Sequence, residues 1–166
     1  MMSAIEALLI EFDQEMAATR ELLARLPEQA LAWKPHDRSF SLGGLAAHLA
    51  QLPRWGCQIL DSDGYELKAS ATGAEEPQTR AGILDMFDRH VADVRHELTT
   101  RSDAELAAPW TLRQNGHTLL TLPRVSAIRR FLLHHVIHHR GQLTVYLRLQ
   151  DVPLPPLYGT TADHRS

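Results

Sequence analysis

Four stretches of the chain repeat apolar residues at the spacing of one helix face. The first runs from Ser3 to Leu26 and puts Ile5, Leu8, Leu9, Phe12, Met16, Thr19, Leu23 and Leu26 on one side, with acids opposite, before Pro27 ends it. The second opens at Ser41, a residue type that caps helix N-termini, and reaches Asp61. Its stripe is Leu45, His48, Leu52, Trp55 and Ile59, with a kink expected at Pro53. The third spans Pro77 to Thr100, with Ile83, Phe87, His90, Val94 and Leu98 inward. The fourth starts near Thr121-Leu122-Pro123 and ends near Gln150, ahead of the proline-rich tail Val152 to Gly159.

The segments between them differ in character. Pro27 to Phe40 reads as an ordered loop, and Asp61 to Pro77, rich in Gly, Ser, Thr and acids, as a mobile connection. In Ser102 to Leu120, the pair Asn115-Gly116 separates Trp110-Thr111-Leu112 from His117-Thr118-Leu119-Leu120, a pattern that suits a short hairpin. Four long helices with little other strand signal predict an all-α protein, an antiparallel four-helix bundle. Its long loops are expected to cover a site at one end. At 166 residues the chain is expected to fold as one domain over 1–166.

Composition narrows the function classes. The net charge of -3 gives no basic field for a phosphate backbone, so no nucleic-acid partner is expected. No apolar run approaches the ~20 residues that span a bilayer, so no membrane partner is expected either. The N-terminal residues lack the positive charge of a signal peptide. The single cysteine, Cys57, has no partner for an internal disulfide and suits a reducing, cytoplasmic setting. Cys57 lies more than two turns from His48 along the helix and reads as a small core residue. Trp33, Trp55 and Trp110 read first as core aromatics.

Histidine is the unusual count, ten residues against seventeen Lys plus Arg. Two pairs in the fourth helix have i,i+4 spacing, His134 with His138 and His135 with His139, which stacks both rings of a pair on one face. At ~100° per residue, His135 and His139 fall within roughly 60° of the stripe formed by Ile128, Leu132, Val136, Leu143, Tyr146 and Leu147. His134 and His138 lie ~120° or more away. His48 occupies the buried stripe of the second helix. Three inward imidazoles from two helices make an open ligand set of the kind found in catalytic metal sites. A hydrogen-bonded core histidine is the competing role for each one alone. His90, also inward, fits a fourth ligand, a group that orients a ligand ring, or a core residue.

The residues after His139 are chemically distinct. Arg140 is expected on the flank, beside a carboxylate, and Gly141 at a close helix approach. Gln142 is expected one turn from His139, where it would orient a ligand. Packing or capping is the competing role of all three. No Ser/His/Asp arrangement, phosphate loop or dinucleotide fingerprint is present.

The run His135-x-x-x-His139-Arg140-Gly141-Gln142 resembles the signature of the DinB-like (DinB/YfiT) metalloenzyme superfamily. Trp33-Lys34-Pro35, Ser41, His48 and the tail Val152 to Gly159 extend the likeness over nearly the whole chain. Asp151 departs from it, standing where a glycine helix stop is expected. The resemblance implies a four-helix bundle holding one divalent metal on His48, His135 and His139; His90 and Gln142 are, from their helix positions, the candidates for the groups around it. Zinc or nickel suits three imidazoles best, and iron or copper is compatible. The family includes thiol-dependent transferases and isomerases that use bacillithiol or mycothiol. A metal-dependent transferase or hydrolase acting on a small molecule is therefore expected, with a low-molecular-weight thiol as co-substrate and a homodimer as assembly. The alternative is a non-catalytic stress-response bundle with a structural metal.

Overall fold

In the computed structural model, residues 2–67 and 79–164 are described. Local chemistry sets where each helix begins. The Ser3 hydroxyl accepts from the Glu6 N–H at 3.1 Å and the Glu6 carboxylate accepts from the Ser3 N–H at 2.7 Å, a reciprocal cap that starts α1 (Ala4–Leu23). Ser41 caps α2 (Leu42–Gln51) through the Gly44 N–H, as its residue type predicts. At Pro53 the missing N–H breaks the helix outright, and α3 (Arg54–Leu60) restarts it.

Strand β1 (Gly64–Leu67) follows, then α4 (Arg80–Thr100), capped by Thr79, and the short α5 (Asp103–Ala107). Strands β2 (Pro109–Gln114) and β3 (His117–Pro123) form the hairpin the Asn115-Gly116 pair suggests. Both turn residues have positive φ, 51° and 76°, as a two-residue hairpin loop requires. The last helical run is α6 (Arg124–Ile128), a π-helical turn (Arg129–Leu133) and α7 (His134–Leu149).

Three expectations are corrected. The protein is helix-rich but not all-α, because β1 pairs in parallel with β2, which pairs antiparallel with β3. Strand β1 occupies part of the Asp61–Pro77 connection; residues 68–77 of it lie outside the described residues. Thr121-Leu122-Pro123 belongs to β3, paired with Pro109 to Thr111, so the last helix begins at Arg124.

Neighbouring helices are not uniformly antiparallel either. Helix α1 opposes α4, as the Arg20–Asp88 and Arg95–Asp13 pairs show. Along α2–α3 and α4, however, the contacts rise together, from Ala50–His90 to Arg101–Asp61. They rise together along α1 and the last helical run too, from Glu11–Arg129 to Glu15–Arg140. Helices that follow one another in sequence and run parallel need a long crossover, which accounts for the long segment between α3 and α4. Gly56 lets α3 close on α4, since a Cβ there would lie 2.7 Å from a Val94 methyl.

The core is aliphatic, built on Leu8, Phe12, Leu45, Leu49, Phe87, Val94, Leu132, Val136 and Leu143. Trp110 on β2 is fully buried and packs on Phe131, so the sheet closes one side of this core. At the end of α7, Asp151 takes φ 55°, and the Val152 and Asp151 N–H groups reach the Leu147 and Arg148 carbonyls. The helix therefore stops by the left-handed turn a glycine would make, with aspartate in its place. No helix among the described residues is long and apolar enough to cross a membrane.

Candidate metal centre

The break at Pro53 and the π-helical turn before His134 bracket the two segments that carry the inward histidines. His48 lies one turn from the end of α2, and His135 and His139 on the first two turns of α7. The three are brought together: one donor atom from each lies within 4.8 Å of the others, the one such His/Cys/Asp/Glu group among the described residues. The Nε2 atoms of His135 and His139 are 2.9 Å apart, and the His48 ring sits edge-on to both, with centroids 5.3 and 4.6 Å away.

Each ring is held from behind. His139 Nδ1 donates to Gln142 Oε1 at 2.7 Å, which turns Nε2 towards the group. His135 is hydrogen-bonded to the backbone of Phe131, inside the π-helical turn. His48 stacks on Phe40 at 5.6 Å between centroids and 13° between planes. The orienting roles of Phe40 and Phe131 escape sequence reading, since neither follows from a spacing rule.

The electrostatics favour neutral rings. Burial, followed by the charges of His139 and His135, pushes His48 down to about 4. Burial is also the main cause lowering His135 and His139, with the Phe131 and Gln142 hydrogen bonds acting the other way. Neutral imidazoles keep the lone pair a metal needs, and no carboxylate enters the group. Three clustered, neutral, softly basic nitrogens fit a divalent transition metal.

His90 is not in the group. Its Nδ1 lies 2.8 Å from the Ala50 carbonyl, which ties α4 to the end of α2 just beyond His48. His134 and His138 are exposed, as their angular positions predict. A cleft of about 710 Å³ adjoins the group on the α2–α3 and α4 side, and His48 forms part of its wall together with His90, Trp55, Cys57, Tyr65 and Asp93. Trp55 is thus a cleft residue, half-buried against Tyr65 and Phe131. Burial pushes the Cys57 thiol up to about 11, helped by Asp61 and Asp93, so it stays protonated.

Two flank expectations are corrected. Arg140 is buried rather than peripheral, although it does meet a carboxylate. Its guanidinium bonds Glu15 Oε2 at 2.5 Å, the Glu15 carbonyl at 3.0 Å, Thr19 Oγ1 at 3.2 Å and the Tyr158 hydroxyl. Gly141 is exposed, and a Cβ there would meet nothing within 4 Å, so no helix approaches it.

The model of the DinB superfamily matches residues 11–143. The uncharacterized protein YrdA of Bacillus subtilis strain 168 is 26% identical over 167 residues, spanning 96% of this chain and 90% of that protein. The crystal structure of a DinB-like protein from Bacillus cereus ATCC 10987 superposes with a TM-score of 0.76 at 19% identity, covering 95% of this chain and all of the other. That of the DinB-like protein YjoA from Bacillus subtilis gives 0.70 at 16% identity, covering 93% and 99%. The matched segment carries His48 and the whole His135 to Gln142 run on a shared fold, and the chain belongs to the DinB superfamily.

Proposed function

We propose that His48, His135 and His139 hold one divalent cation, zinc or nickel, and that the protein is a metal-dependent enzyme acting on a small molecule. The observation that carries this reading is the set of three mutually close, neutral imidazole donors with no carboxylate to close the site. Such a cation supplies Lewis acidity, which lowers the pKa of a water or thiol bound to it. The chain's own part is to orient the rings through Gln142, Phe131 and Phe40 and to keep them unprotonated near neutral pH. The adjoining cleft has the size of a small organic substrate. Thiol transfer to an electrophile, or hydrolysis of one, is the reaction class, in a cytoplasmic protein built on a four-helix framework.

The second reading, a structural metal, is favoured by one observation: the three rings come from two helices, α2 and α7, that a cation would tie together. Tag-free protein analysed for metal and assayed with a panel of thiols and electrophiles separates the two. The enzyme reading expects about one metal per chain, turnover that chelation removes, and loss of both metal and turnover in His135→Ala. Metal content without turnover, with a large fall in melting temperature on chelation, supports the structural reading instead.

A further inference from the structure

The break at Pro53 has a chemical consequence on the far wall of the cleft. In an unbroken helix the Ala50 carbonyl would accept from the Arg54 N–H. Here α2 ends at Gln51, α3 starts at Arg54, and His90 Nδ1 sits 2.8 Å from that carbonyl. A carbonyl only accepts, so Nδ1 carries the proton and Nε2 of the neutral ring keeps a lone pair. Nε2 makes no hydrogen bond among the described residues, and His90 and His48 line the same cleft.

The other polar groups of that cleft are poorly placed to take a proton. Asp61 is paired with Arg101 at 2.9 Å. Arg54 is a cation, and the Cys57 thiol is held protonated by burial and by the nearby acids. Asp93, one turn along α4 from His90, is exposed. The half-buried imidazole is the one base of the cleft whose tautomer is set by the fold.

We propose that His90 is a catalytic residue, a general base whose Nε2 takes the proton of a thiol bound in the cleft beside the three-histidine group. The proposal rests on the enzyme reading above. With an aryl chloride as the electrophile, the S–H proton passes to Nε2 and the sulfur pair forms the new C–S bond. The C–Cl bond breaks, chloride leaves with its bonding pair, and the imidazolium returns its proton to water.

The test uses metal-loaded protein, 2-mercaptoethanol and 1-chloro-2,4-dinitrobenzene. His90→Asn is the informative variant, since its side-chain amide can still donate to the Ala50 carbonyl but offers no basic lone pair. It is expected to keep the wild-type melting temperature and metal content while kcat falls about 100-fold or more, the size of a lost general base. His90→Leu removes both functions and is expected to lower the melting temperature as well. A readout independent of turnover is acylation by diethyl pyrocarbonate, which needs a free imidazole lone pair. Peptide mapping should find His90 labelled in the loaded protein. An unlabelled His90, or His90→Asn with turnover within threefold of wild type, would overturn the proposal while leaving the metal enzyme intact. A wild type with no turnover would instead remove the reading on which it rests.

Discussion

Two polar clusters sit back to back on α7, one residue apart in sequence, and they are built in opposite ways. Around Arg140 the polar groups match: the guanidinium is 1% exposed and meets a carboxylate, a carbonyl and two hydroxyls, and Tyr158 also donates to Glu15 at 2.7 Å. Around His139 the polar groups are alike. Three imidazoles face one another, burial disfavours their charge, and no carboxylate faces them; Gln142 holds His139 from outside and Phe40 stacks on His48. A fully paired buried charge joins helices, here α1, α7 and the C-terminal tail, and asks nothing of solvent or ligand. Convergent lone pairs without donors are stable only at a cost, and that cost marks the place where a ligand belongs.

Breaking the closed cluster has the largest expected effect. Glu15→Ala leaves the Arg140 charge buried without its carboxylate, and should destabilise the protein by about 3–5 kcal/mol. For a chain of this size that is roughly a 10 °C fall in melting temperature, readable by thermal denaturation of the metal-free protein. Metal affinity, measured at a temperature where the variant is folded, should change little. Opening the other cluster inverts the pattern. Gln142→Leu removes the acceptor of His139 Nδ1 and should weaken metal binding about 10–100-fold, with metal-free stability within ~1 kcal/mol of wild type. Titration calorimetry and melting curves on the same two variants therefore cross. If Glu15→Ala loses metal as severely as Gln142→Leu, the two clusters are one unit and the contrast drawn between them fails.

The pH response sharpens the comparison further. The three clustered histidines have folded pKa values below their ordinary 6.5, so the unfolded chain binds more protons between about pH 6.5 and pH 4. Stability of the metal-free protein is therefore full above pH 6.5 and falls as pH drops towards 4. The change should be about 1 kcal/mol, because half-exposed rings are partly screened by solvent. Replacing His48 with alanine should flatten this slope. Zinc should steepen it, since protons then also compete for the ligands.

How much of this is legible in the sequence depends on whether a feature is periodic. The inward positions of His48, His135 and His139 follow from helical spacing, and so do the four long helical segments. The Asn115-Gly116 hairpin follows from turn chemistry. Strand β1 does not, because Gly64 to Leu67 is four residues long and gains its identity by pairing with β2, far away in sequence. The parallel course of α2–α3 and α4 is equally invisible, being set by tertiary packing around Gly56. Arg140 shows the limit most clearly. Its angle on the helix predicts a flank, yet a long side chain can turn inward when a partner helix offers a carboxylate, and Glu15 lies 125 residues away.

Gly141 provides the smallest and most discriminating test. It lies between Arg140 and Gln142, in the middle of α7, where glycine costs up to about 1 kcal/mol relative to alanine in an exposed helix. A close helix contact would explain that cost, but a Cβ at Gly141 meets nothing within 4 Å, in contrast to Gly56, whose Cβ would strike Val94. On the isolated chain, then, Gly141→Ala should raise stability by up to ~1 kcal/mol and leave metal affinity unchanged, because neither Gln142 nor Arg140 has to move. Gly56→Ala should do the reverse and destabilise by about 1–3 kcal/mol through overpacking. Should Gly141→Ala lower stability in a concentration-dependent way, the open side of α7 would have to be covered by a second copy, and Gly141 would share the role that Gly56 plays within the chain.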